Sequence, residues 1–148
     1  MTYLSEKYPG KFLMPGDIQG RAKVQEYFNW HHKAVRNITT SMFAPAMRPD
    51  LGLAPEPLPT AVMKTVETWL GEREWIAGDA ATLADMSAYC DIGQAQSHLC
   101  DFIDFAPYPN ITRWMKACEG LAGYAESHAM LLKVGPKLAV QIAAASKL

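Results

Sequence analysis

Thr82-Leu83-Ala84-Asp85 is the stretch that decides the fold. A threonine followed three residues later by an acid forms a capping box. The Thr82 hydroxyl is expected to accept the Asp85 amide, while the Asp85 carboxylate reaches back to the Thr82 amide. A helix is expected from here to about His98. Immediately upstream, Gly71–Ala81 reads as a connection whose Trp75 and Ile76 plug a core. Before it, Val62, Val66, Trp69 and Leu70 fall at helical spacing over 60–70. Prolines 49, 55, 57 and 59 mark 48–59 as a loop.

Further out, Asp17 suits the N-cap of a long helix from Ile18 to about Ala44. Val24, Phe28, His31, Val35, Ile38 and Met42 share one side of it, and Tyr27, Trp30 and Ala34 widen that stripe. Asn29, His32, Arg36 and Thr40 form a polar strip on another side. Pro45 should end the helix there or soon after. Residues 3–8 read as the last turns of a helix whose start is missing, stopped at Pro9-Gly10 and followed by a linker. Downstream, Asn110 is expected to cap a helix over 111–119, with Ile111, Trp114, Met115 and Cys118 inward. Tyr124–Lys133 should form a last short helix that Gly135-Pro136 stops. No segment alternates with a period of two for long enough to be a strand. The expected fold is an all-α bundle of about five helices.

Composition bounds the function. The chain has 148 residues, 14 Lys+Arg against 15 Asp+Glu, a net charge of −1 and 49% apolar residues. One domain with an ordinary core fits these values. A balanced charge argues against a dedicated nucleic-acid binder. No apolar run reaches the roughly 18 residues that would suggest a membrane span, and the first residues lack the apolar region of a secretory signal. Cys90, Cys100 and Cys118 are odd in number and form no Cys-x-x-Cys pair. Reduced thiols are expected, without a disulfide framework or a thiolate zinc site.

The chemistry-bearing residues are few. Adjacent His31 and His32 point about 100° apart on a helix and cannot readily share a metal ion. His31 lies in the apolar stripe and suits a hydrogen-bonded core position. His98, Cys100, Asp101 and Asp104 read as a polar helix end, and no metal site is expected. Asp101 and Asp104 lack the partners that glycosidase chemistry needs. There is no phosphate loop and no nucleophile motif, so no catalytic residue is assigned within the chain. His32 and Arg36, at i and i+4, share a face with Asn29 and Thr40 and could meet an anion.

Taken in order, these residues resemble a known family. The ordered set is Tyr3-Leu4 and Lys7-Tyr8; Arg21-Ala22; Tyr27-x-x-Trp30-x-His32-x-x-x-Arg36; Trp75-Ile76-x-Gly78; the box at 82–85; and Tyr108-Pro109-Asn110-Ile111-x-x-Trp114. It is similar to the C-terminal helical domain of cytosolic glutathione transferases, most like the theta and delta types. The likeness runs over about residues 3–134. It implies a division into 1–16, the end of a thioredoxin-like domain's last helix plus linker; 17–135, the helical domain; and 136–148, a tail. It implies that Tyr27, Trp30, His32 and Arg36 lie near the pocket or the glutathione, with Arg36 close to the glutathione sulfur. Thr82 and Asp85 match the family's structural capping box. The hydroxyl or thiol that stabilises the thiolate belongs to the thioredoxin-like domain and has no counterpart in this chain. Glutathione would then be a co-substrate only when that domain is supplied, and the chain carries no cofactor of its own. One departure is the short apolar pattern over 60–70, since the family's corresponding helix is longer, lines the pocket and helps form the dimer.

The last residues, Ser146-Lys147-Leu148, form the tripeptide read by the peroxisomal import receptor. The expected location is a peroxisome or related microbody, otherwise the cytoplasm. Two functions fit these features. One is the helical half of a detoxifying glutathione transferase that contributes the electrophile pocket and is inactive as an isolated chain. The alternative is a non-catalytic interaction module like those of elongation factor gamma subunits and aminoacyl-tRNA synthetase complexes. On either reading the face that packs on a thioredoxin-like domain should be apolar. A homodimer, another partner, or Tyr3, Leu4, Tyr8 and Phe12 would cover it. No nucleic-acid or membrane partner is expected.

Overall fold

A computed structural model describes residues 2–8, 10, 13–52, 60–99 and 101–145. The described residues are helical and form no strand beyond one isolated bridge between Trp75 and Gly78. The core gathers Val24, Val35, Ile38, Met63, Val66, Leu70, Ala88, Ile92, Ile111 and Trp114, all fully or almost fully buried.

At the centre is α6 (Leu83–Ile92), opened by the expected box. Asp85 is wholly buried and accepts four hydrogen bonds. Thr82 gives its amide (2.8 Å) and hydroxyl (3.0 Å), Ile76 its amide (2.8 Å) and Trp114 its indole N–H (2.9 Å). The box is therefore also a tertiary knot, because Ile76 lies in the preceding connection and Trp114 on α7 (Pro109–Glu119).

Helices α5 (Thr60–Glu72) and α7 pack together and complete each other's ends. Sequence suggests Asn110 as the cap of α7. The structure instead starts α7 at Pro109, whose missing amide costs nothing at a first turn. The free amides of Asn110 (3.0 Å) and Ile111 (2.9 Å) donate to the Glu67 carboxylate of α5. In return, Arg113 of α7 donates to the Leu70 carbonyl (2.9 Å) near the end of α5.

The long helix expected from Ile18 to Ala44 is divided. Asp17 does cap α2 (Ile18–His31), its carboxylate accepting the Gly20 amide at 2.7 Å. After His31 the hydrogen bonds shorten to three-residue steps at Lys33, Ala34, Asn37 and Ile38. A brief α3 (Arg36–Ile38) then widens into a π segment, Thr39–Phe43, before α4 (Ala44–Met47). Backbone angles stay helical at the junctions, so the rod is continuous while its hydrogen-bond register slips. The slip leaves Ala34, Val35 and Ile38 buried and brings Thr39 to Asp91.

Two further boundaries differ. Helix α6 stops at Ile92 rather than near His98. A short 3₁₀ turn, Gly93–Ala95, follows, and Gln96 turns extended. The Asp101 amide then returns to the Gln96 carbonyl (2.9 Å) and the Phe102 amide to Ala95 (3.0 Å), closing a loop that sequence periodicity does not report. The last helix, α8 (Tyr124–Ala145), runs straight through Pro136. Its neighbour Gly135 is the reason packing prevails. A Cβ there would sit 2.9 Å from the Leu99 carbonyl oxygen, so only glycine lets α8 lie so close to that backbone. Preceding α2, α1 (Thr2–Lys7) leaves Tyr3, Leu4 and Tyr8 exposed. Phe12, Cys100 and Ser146-Lys147-Leu148 lie outside the described residues.

Candidate functional site

The rod presents two layers. Underneath, Tyr27 and His31 are buried, with Tyr27 Oη 3.0 Å from His31 Nδ1. His31 Nε2 lies 3.0 Å from the Asp91 carboxylate of α6. Thr39, on the π segment, donates to the other Asp91 oxygen and receives a hydrogen bond from Gln94 Nε2 at 2.9 Å. One chain of polar contacts thus ties both sides of the register slip to α6. A buried aspartate is tolerable here because donors saturate it.

The electrostatics follow from that geometry. Burial alone would raise the Asp91 carboxyl, but hydrogen bonds from His31 and Thr39, helped by the charge of Arg36, hold it below its ordinary value. Burial and the nearby Asp91 charge push the Tyr27 phenol upward, so it stays protonated. Cys90, next to Asp91, is raised by partial burial and by that same charge. It is a thiol rather than an activated thiolate.

Above this layer lies the strip. Asn29, His32, Arg36 and Thr40 are all exposed. No ion pair from Arg36 occurs among the described residues. Its guanidinium can therefore meet an incoming carboxylate or thiolate, with His32 one turn away. The four residues singled out from sequence separate into these layers. His32 and Arg36 face outward, Tyr27 is core, and Trp30 is half-buried against Trp69 of α5, ring centroids 4.7 Å apart. The residues that sequence reasoning missed are Asp91, Thr39 and Gln94. The contacts that tie His31 and Thr39 of the rod to Asp91 and Gln94 span more than fifty positions of chain, and no local pattern announces them.

Among the described residues no cluster of three His, Cys, Asp or Glu could hold a metal ion. No helix among them is long and apolar enough to cross a membrane.

Residues 48–122 match the family model described as "Glutathione S-transferase, C-terminal domain". The chain is 29% identical to glutathione S-transferase theta-1 of Gallus gallus over 96% of its own length and 59% of that protein's. It is 27% identical to glutathione S-transferase T1 of Arabidopsis thaliana, over 90% and 62% respectively. The chain therefore spans about three-fifths of the length of these relatives. In fold it is similar to a delta-class glutathione transferase of Nilaparvata lugens, with a TM-score of 0.75 at 24% identity, covering 95% of this chain and 67% of that one. Glutathione transferase E6 of Drosophila melanogaster superposes with a TM-score of 0.70 at 25% identity, over 93% and 66%.

Proposed function

The chain belongs to the glutathione S-transferase C-terminal domain family, and we propose that it is the helical half of a glutathione-conjugating enzyme. On this reading it supplies the wall of the electrophile pocket, and a thioredoxin-like domain holds glutathione and stabilises its thiolate. The observation that carries the reading is the exposed His32–Arg36 pair on a rod whose register slip is tied to α6 through His31 and Asp91. Arg36 faces the glutathione sulfur or carboxylate, and a fixed cation there favours the anion that attacks the electrophile. His32 and Trp30 border the same pocket, with Tyr27 supporting them from beneath.

The 148 residues alone then lack the thiolate-stabilising group and do not conjugate. The test is an aryl-halide assay with glutathione, run on the chain alone and on the chain fused behind the thioredoxin-like domain of a theta-class relative. Turnover is expected only in the fusion. Equal turnover by the purified chain alone would refute the division of labour.

An interaction-module role is the second reading. It draws on the apolar residues left exposed near the front of the chain, Tyr3, Leu4, Tyr8, Leu13 and Ile18. A second copy or another protein covers them, and affinity capture with stoichiometric recovery of one partner, without conjugation by the fusion, favours this role. The proposed location is the peroxisome or a related microbody, by way of Ser146-Lys147-Leu148. Removing Leu148 from a tagged chain should return it to the cytosol.

A further inference from the structure

We propose that a cavity between α6, the end of α7 and the start of α8 binds a small planar aromatic molecule carrying an O–H or N–H donor, with Tyr124 and His128 as its acceptors. This site is separate from the His32–Arg36 strip. The cavity encloses about 350 Å³, and Met86, Cys90, Cys118 and Leu121 supply sulfur and hydrocarbon walls. That volume is in the usual range for a small-molecule pocket. One wall is flat and aromatic: Tyr124 and His128 stack with ring centroids 4.2 Å apart at 21°. Tyr89 stands edge-on to both rings, each at 5.5 Å. Sulfur atoms and ring faces favour a polarizable, planar guest.

The hydrogen-bond arithmetic sets the guest's polarity. The Glu119 carboxylate can only accept, so the Tyr89 hydroxyl proton is committed to it at 3.0 Å. With the proton placed there, the Tyr89 oxygen accepts from Gln96 Nε2 (3.1 Å) and from the Tyr124 hydroxyl, 2.8 Å away. The Tyr124 oxygen is left with lone pairs and no proton to give. On the next turn, His128 Nδ1 lies 3.1 Å from the Tyr124 backbone carbonyl, another pure acceptor, which fixes the ring proton on Nδ1. Ser127 agrees: its hydroxyl proton goes to the same carbonyl (3.0 Å), leaving its oxygen to accept from Nδ1 (3.0 Å). In the neutral ring Nε2 is then an acceptor, and it has no partner among the described residues. To these two acceptors a phenol or an indole can donate, whereas an ether or a ketone cannot. Burial raises the thiols of Cys90 and Cys118, so they line the cavity as neutral thiols rather than as nucleophilic thiolates.

Titration of the 148-residue chain with 2-naphthol tests this. Trp114, whose ring lies 6.2 Å from Tyr89, serves as a fluorescence reporter, and ligand-observed NMR is the second readout. Saturable one-to-one binding is expected, at least tenfold weaker for 2-methoxynaphthalene, which has the same rings and no donor. Filling the cavity by Cys90→Phe, or by Ala122→Phe if the first variant loses its helical circular dichroism, should abolish binding. Tyr124→Phe should weaken it several-fold. No saturation up to millimolar naphthol, equal affinity for the two naphthalenes, or undiminished binding in a folded filled variant would each overturn the proposal.

Discussion

Helix α6 carries two buried aspartates, and they serve different neighbourhoods. Asp85 accepts from its own box, from the connection before it and from Trp114. Asp91 accepts from His31 and Thr39, which flank the slip in the rod. The first knits the block of α5, α6 and α7; the second holds the part of α2–α4 that presents Arg36. The block gives the domain its fold, and the rod gives it its candidate site.

The largest expected effect breaks the first neighbourhood. Asp85→Ala strands the Trp114 indole, the Ile76 amide and the Thr82 amide together in the core. Each buried unmatched donor costs about 1–3 kcal/mol, so a total loss of at least about 3 kcal/mol is expected by urea unfolding. A smaller loss would show that the box is redundant with packing.

Asp91→Ala should cost less, about 2–3 kcal/mol, because the contacts it removes are fewer and Thr39 remains half-exposed. Its mark is the pH dependence. The Asp91 carboxyl is depressed on folding, so it contributes stability above the ordinary carboxylate value of about 4. That contribution fades as pH falls from there through the depressed value. Asp91→Asn should flatten this acid limb of the stability curve, whereas an unchanged limb would mean that Asp91 does not tie the rod down.

Legibility in the sequence follows the same boundary. The Asp85 box, the Asp17 cap and the apolar faces of α5 and α7 are local patterns, and three to four residues suffice to state them. The register slip after His31 is not local: its backbone angles are helical, and the partner shared by its two flanks is Asp91, some sixty positions after His31. The same applies to α7, where Glu67 from α5 does the capping for which the local pattern offers Asn110, and to α8, where close contact with Leu99 accompanies the helix past Pro136. Within the site, His32 and Arg36 were visible as an i, i+4 pair. Their support through His31, Asp91, Thr39 and Gln94 depends on tertiary placement.

Smaller effects sharpen the picture. Gly135→Ala presses a Cβ on the Leu99 backbone and should cost about 1–3 kcal/mol by thermal unfolding. Glu67→Ala leaves the first amides of α7 to water and should cost about 1–2 kcal/mol, with hydrogen exchange rising at Asn110 and Ile111. If that exchange stays slow, the cross-helix cap is not what protects this end.

Arg36→Ala lies at the bottom of the stability scale, within about 0.5 kcal/mol of the parent, since the side chain is exposed. In function it should lie at the top. The deciding measurement is the kcat/KM for glutathione conjugation by the thioredoxin-domain fusion, with and without Arg36→Ala, alongside its urea midpoint. The account predicts a loss of about tenfold or more, the magnitude of about 1.4 kcal/mol of transition-state stabilisation, at an unchanged midpoint. Conjugation by the Arg36→Ala fusion at the parent rate would contradict it.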